Sequence, residues 1–148
     1  DNYERERRPA VLKSAETFFR RLTQNRYTEL RAPAGESRIL AITPDGTRKD
    51  FAHLSRGTAE QLYLSLRFGF INEFTRRSKP LPLVFDDILV NFDEARAKST
   101  LESMYELAES HQILLFTCHE STVGLAREVK EDVDVFRLDG GKLKAESQ

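Results

Sequence analysis

The sequence predicts an α/β fold: a parallel sheet flanked by helices, with one helix and a hairpin attached on its N-terminal side. Two observations carry this prediction. After Pro80 and Pro82, short apolar runs alternate with helical segments in the order strand, helix, strand, helix, strand, a pattern that calls for parallel pairing with helices on the faces. Before them, an amphipathic helical stretch is followed by two short runs separated by Asp45-Gly46, which reads as a hairpin.

The elements follow in order. From Pro9, which suits a first helical turn, Val11, Leu12, Ala15, Phe18, Phe19 and Leu22 line one helix face. Ser37 to Thr43 contains Ile39, Leu40 and Ile42 and pairs across the Asp45-Gly46 turn with Arg48 to Phe51. A helix is expected from about Thr58 to Arg76. Leu62, Leu66, Phe70 and Phe74 fall four apart there, so it should be buried around much of its circumference. Strands follow at Leu83 to Asp86, Gln112 to Thr117 and Val133 to Leu138, with helices at Glu94 to Ser110 and Ser121 to Lys130. Asp139-Gly140-Gly141 turns the chain into a last short strand.

With 148 residues the chain is long enough to bury a core without staples. One cysteine, Cys118, leaves no internal disulfide framework, and the histidines show no metal-binding spacing. No apolar run reaches the ~20 residues of a membrane span, so a soluble, cytoplasmic protein with no membrane partner is expected. Net charge is −1, which gives no general footprint for nucleic acid. It is unevenly spread: eight basic residues stand against five acidic ones up to Arg31, giving +3, so the remainder carries −4. A mixed-charge helix of this kind reads first as a solvated face.

Chemistry concentrates in four stretches. Leu83 to Asp86 is a buried-type strand delivering Asp86 and Asp87 at its C-terminal end, where ligands of open α/β sheets bind. Successive strand residues point to opposite sides, so one carboxylate would face Mg²⁺ or its waters and the other an attacking water. Leu54-Ser55-Arg56-Gly57-Thr58 opens the long helix, where free N–H groups favour an anion and Ser55 suits an N-cap. Asn91 to Glu94 opens the next helix, with Asp93 as its cap. Phe116-Thr117-Cys118-His119 ends the following strand and brings a histidine to the same sheet edge as Asp86. His53 and His111 read as surface residues, Cys118 as a small buried side chain, and Tyr27 and Phe51 as packing residues.

Taken together, these stretches resemble the motif set of ABC-type ATPases, within the SMC, RecF, RecN and SbcC group and especially YhaN-like AAA-family proteins. The resemblance covers nearly the whole chain and implies the C-terminal half of a P-loop NTPase head. Residues 1–30 would be the end of a coiled-coil arm and its re-entry helix, and residues 31–148 the C-terminal lobe. It further implies a signature motif at Leu54, Ser55, Arg56, Gly57 and Thr58, and a Walker B strand with Asp86 toward Mg²⁺ and Asp87 as general base. His119 would be a switch histidine and Asp93 part of a D-loop. ATP and Mg²⁺ would be bound in the complete head, between two heads paired by ATP, with DNA as a further partner in repair, recombination or chromosome maintenance.

Two departures bear on activity. The sequence contains no GxxxxGK[ST] run, so ATPase activity is expected only together with an N-terminal half carrying that loop, and the isolated chain should be inactive. Asp87 stands where many such ATPases place glutamate. A degenerate, non-catalytic head that dimerises or binds DNA is the alternative.

Overall fold

A computed structural model describes residues 10–33, 35, 36 and 38–146. The expected first-turn role of Pro9, residues 1–8 of the expected arm segment and the expected strand start at Ser37 lie outside these residues.

Helix α1 (Ala10–Leu22) buries Leu12, Ala15, Phe18, Phe19 and Leu22, the face its periodicity predicts. The chain leaves it through Gln24 and Asn25, both in the left-handed region. A three-stranded antiparallel sheet follows, made of β1 (Glu29–Arg31), β2 (Leu40–Ile42) and β3 (Arg48–Asp50) in sequential order. The hairpin is the expected one. Strand β1 is additional, and it is fastened to α1 by the Glu16 carboxylate, which accepts from the Leu30 N–H at 2.8 Å.

After a single 3₁₀ turn, Phe51–His53, helix α2 (Arg56–Thr75) runs the length of α1. The two backbones touch at Gly69: a Cβ there would stand 2.6 Å from the Ala15 nitrogen and 2.7 Å from the Val11 carbonyl oxygen. Near the far end of α1, the buried Gln61 amide donates to the Leu22 carbonyl, satisfying one of the acceptors that a helix C-terminus leaves open.

Strand β4 (Leu83–Asp86), helix α3 (Glu94–Ala108), strand β5 (Ile113–Phe116) and helix α4 (Glu120–Val129) form a strand–helix–strand–helix unit. β4 and β5 pair in parallel, with Val84 opposite Leu114 and Asp86 opposite Phe116. The expected third parallel strand takes another partner. β6 (Phe136–Asp139) pairs antiparallel with β7 (Lys142–Ala145), because Gly140 and Gly141, at φ +54° and +75°, close the two-residue turn that such φ values favour.

The α1–α2 pair divides the core. On one side Leu12, Phe19, Tyr27, Leu30, Ala41 and Leu62 join the helices to β1 and β2, with Phe19 and Tyr27 stacked at 5.3 Å. On the other, Phe18, Phe68 and Phe85 meet edge to face at 5.4 and 5.9 Å and carry the packing from α1 through α2 to β4.

Four expectations about burial are corrected. Phe70 and Phe74 on α2 are 59% and 41% exposed, since α1 covers the Phe68–Gly69 face and nothing among the described residues covers the opposite one. For the same reason the parallel ladder is open on one side: Val84, Leu114 and Phe116 are exposed, while Phe85 is buried against the core. Phe51 lies exposed at the start of the 3₁₀ turn. His111 is buried, its Nδ1 3.0 Å from the Leu107 carbonyl oxygen and its Nε2 2.7 Å from the Thr75 hydroxyl, so it links the ends of α2 and α3. No described helix is long and apolar enough to cross a membrane.

Candidate functional site

The C-terminal ends of β4 and β5 bring one group of polar side chains together. Strand geometry ends at Asp86, whose exposed side chain shares the open face of the ladder with Val84 and Phe116. Its carboxylate makes no hydrogen bond or ion pair among the described residues. Asp87 does not continue the pleat as the sequence reading assumed: its φ is +50°, a region where aspartate and asparagine are enriched because their short polar side chains tolerate it. The Asp87 N–H donates to the Phe116 carbonyl at 2.8 Å, so the turn remains fastened to β5.

That turn aims the Asp87 carboxylate at the loop after β5. The Thr117 hydroxyl donates to Asp87 Oδ1 at 3.0 Å. His119 Nε2 lies 3.5 Å and Cys118 Sγ 3.6 Å from Asp87 Oδ2. Thr117 Oγ1 also accepts from the His119 N–H at 3.1 Å, so one hydroxyl orients both the carboxylate and the start of α4. Cys118 is exposed rather than buried, because β5 ends at Phe116 and leaves the thiol in the loop. The role of Thr117 was missed in the sequence because it follows from the strand register: with Asp86 opposite Phe116, the residue after β5 faces Asp87.

A second group forms where α2 and α3 begin. Ser55 caps α2, its hydroxyl oxygen accepting from the Thr58 N–H at 3.3 Å. Asp93 caps α3, accepting from the Arg96 N–H at 2.9 Å. The two starts touch through Arg96, which ion-pairs with Asp93 at 3.4 Å while its guanidinium occupies the space a Cβ on Gly57 would need, 2.1 Å from that position. Asn91 Nδ2 donates to Glu60 Oε1 at 3.4 Å, making a second link. Leu54 is half-buried beside the cap, and Arg56 is exposed and paired with Glu60. Arg96 was another residue the sequence reading passed over; a lone arginine three positions past a helix cap gives no signal of its own.

The two groups are connected through the chain, since the Asp87–Phe92 loop runs from the end of β4 to the start of α3 in tight turns, with Val90 N–H donating to the Asp87 carbonyl and Phe92 N–H to that of Leu89. No hydrogen bond or ion pair joins them directly among the described residues. Replacing Ser55 with alanine removes the α2 cap and is expected to lower stability by about 1 kcal/mol, measured as a shift in the thermal or denaturant midpoint.

No protein-family model matches the chain. In sequence it is 41% identical over 113 residues to the uncharacterised protein YhaN of Bacillus subtilis, covering 76% of this chain and 12% of that protein. The chain therefore spans about an eighth of the curated relative it matches. In fold it is similar to a structure described under ATP-driven dimerisation and DNA-stimulated activation of SMC ATPases, with a TM-score of 0.69 and 18% identity over 94% of this chain and 83% of the other. It is also similar to the Smc head domain of Pyrococcus furiosus, with an extended coiled coil and bound to the C-terminal domain of ScpA, with a TM-score of 0.65 and 18% identity over 94% of this chain and 34% of the other. The α/β fold of the chain therefore matches the C-terminal lobe of SMC ATPase heads.

Proposed function

We propose that this chain, folded as SMC ATPase heads fold, is the C-terminal half of an ATP-binding and ATP-hydrolysing head. The carrying observation is the Asp87 carboxylate, held by Thr117 at the end of β4 and faced by His119, with the free carboxylate of Asp86 beside it. Asp87 accepts the proton of an attacking water as general base. His119 orients that water or contacts the γ-phosphate. Asp86 suits Mg²⁺, a hard cation that takes carboxylate and water oxygens, since its own oxygens have no partner among the described residues. When bound, Mg²⁺ neutralises phosphate charge.

Ser55, Gly57 and the N-terminus of α2, with Leu54, Arg56 and Thr58, would serve the γ-phosphate of ATP held by a second head, using the partial positive charge of a helix start. Asp93 would cross the interface between the heads. Residues 1–30 would belong to the arm and its re-entry, and the work of the paired heads would be on DNA, in repair, recombination or chromosome maintenance. The phosphate loop would come from the N-terminal half of the same head, whose strands would cover Val84, Leu114 and Phe116.

Calorimetry tests the division of labour. The 148-residue chain alone is expected to bind ATP·Mg²⁺ weakly or not at all, because its carboxylates repel phosphates and it has no loop of N–H donors to offset them. Adding a separately produced phosphate-loop half should restore binding. Sub-micromolar binding by the chain alone would mean that its phosphate site lies elsewhere.

A further inference from the structure

We propose that Asp87, Cys118 and His119 form a Zn²⁺ site that shuts off hydrolysis at the same carboxylate. The regulatory half of this proposal rests on the ATPase reading; the metal site itself does not.

The three side chains offer one oxygen, one sulfur and one nitrogen, all within 4.8 Å of one another. Zn²⁺ binds oxygen and nitrogen at ~2.0–2.1 Å and thiolate sulfur at ~2.3 Å, so a tetrahedral site has O–N edges of about 3.3 Å and O–S edges of about 3.5 Å. The corresponding separations from Asp87 Oδ2 are 3.5 Å to His119 Nε2 and 3.6 Å to Cys118 Sγ. Both edges therefore fit a common metal with adjustments of a few tenths of an ångström.

The surroundings favour ligation over a chance approach. Thr117 donates to Asp87 Oδ1, which turns Oδ2 toward the other two ligands, the outer hydrogen bond that orients a metal-bound carboxylate. Cys118 and His119 are exposed, so the ion has an entry path. Three protein ligands leave a fourth position for water, as in open zinc sites. Thiolate and imidazole select Zn²⁺ over Mg²⁺, which prefers oxygen alone, so the site is distinct from the Mg²⁺ position at Asp86. On binding, the Cys118 S–H bond breaks, its proton passes to solvent, and the thiolate sulfur binds the metal. The ion then occupies the carboxylate oxygen that faces His119, leaving neither side chain free to handle water.

Co²⁺ serves as the spectroscopic probe, titrated into the purified protein with Mg²⁺ present and then displaced by Zn²⁺. A saturable one-to-one thiolate-to-cobalt charge-transfer band is expected in the wild type. Cys118→Ser should abolish it, while Thr117→Val should retain it with affinity about 10-fold lower. Circular dichroism confirms that each variant is folded. No band, or a band that persists in Cys118→Ser, overturns the site. ATP turnover is then compared with and without Zn²⁺ for each protein combined with the phosphate-loop half: the ratio should fall in the wild type and stay near one in Cys118→Ser. A wild-type ratio near one, in a protein that hydrolyses ATP and shows the band, overturns the regulatory role. A combined head that shows the band but never hydrolyses ATP supports the metal site and overturns the ATPase reading instead.

Discussion

ATP turnover by the complete head is expected to fall by about 10²-fold or more when Asp87 is replaced with asparagine, with nucleotide binding and head pairing retained. Asparagine is the informative substitution for two reasons. It keeps an oxygen that can accept the Thr117 hydroxyl, and it tolerates the φ of +50° found at this position. What it removes is the capacity to take a proton. Alanine would change the backbone preference as well as the chemistry, and a loss of rate in that variant would have two explanations. Steady-state turnover measured beside equilibrium nucleotide binding separates the steps. Unchanged turnover in Asp87→Asn would move the base to His119 or a water network.

Gly69→Ala is expected to destabilise the protein by about 3 kcal/mol, the upper part of the range for overpacked cores. The sign is the test. Within a helix, alanine is favoured over glycine by about 1 kcal/mol, so propensity alone predicts a more stable protein. Against that, the added methyl meets backbone atoms of α1 at 2.6 to 2.9 Å, and a backbone cannot rotate aside as a flexible side chain can. The helices must separate, which loosens the Phe18–Phe68 contact and the Asn72–Ser14 hydrogen bond at 2.9 Å. A loss of this size lowers the midpoint of a domain of this length by roughly 10 °C. A midpoint that rises in Gly69→Ala would mean that α1 does not approach α2 as closely as the distances imply.

Where the sequence spoke clearly, a periodic pattern was being buried on one side. The face of α1 from Leu12 to Leu22 and the β4–β5 strands belong to this class, while the Asp45-Gly46 and Gly140-Gly141 turns were legible from glycines that take positive φ. Strand β1 was invisible because Glu29–Arg31 offers one apolar residue, Leu30, and owes its place to Glu16 reaching across from α1. Phe70 and Phe74 were misjudged because periodicity reports which residues want cover, not whether the cover is in the same chain segment. His111 was misjudged for the opposite reason: both ring nitrogens find partners, on Leu107 and Thr75, which makes its burial tolerable. At the site, the acidic and histidine positions could be picked out by type and order. Their grouping through Thr117 and Arg96 could not, because it depends on strand register and on the space beside Gly57.

The open side of the β4–β5 ladder turns the joining of two halves into a question of effective concentration. If the segment that covers Val84, Leu114 and Phe116 is tethered to this chain, covering is a unimolecular event, with a local concentration in the millimolar range for a short flexible linker. That concentration falls roughly as the −3/2 power of linker length once the linker exceeds the span. A long arm between the halves would dilute each for the other, unless its two strands pair and return the ends to one place. Under that condition a stiff, self-paired arm does more than carry the heads: it sets how long three large apolar side chains remain bare, and hence how often a neighbouring molecule reaches them first.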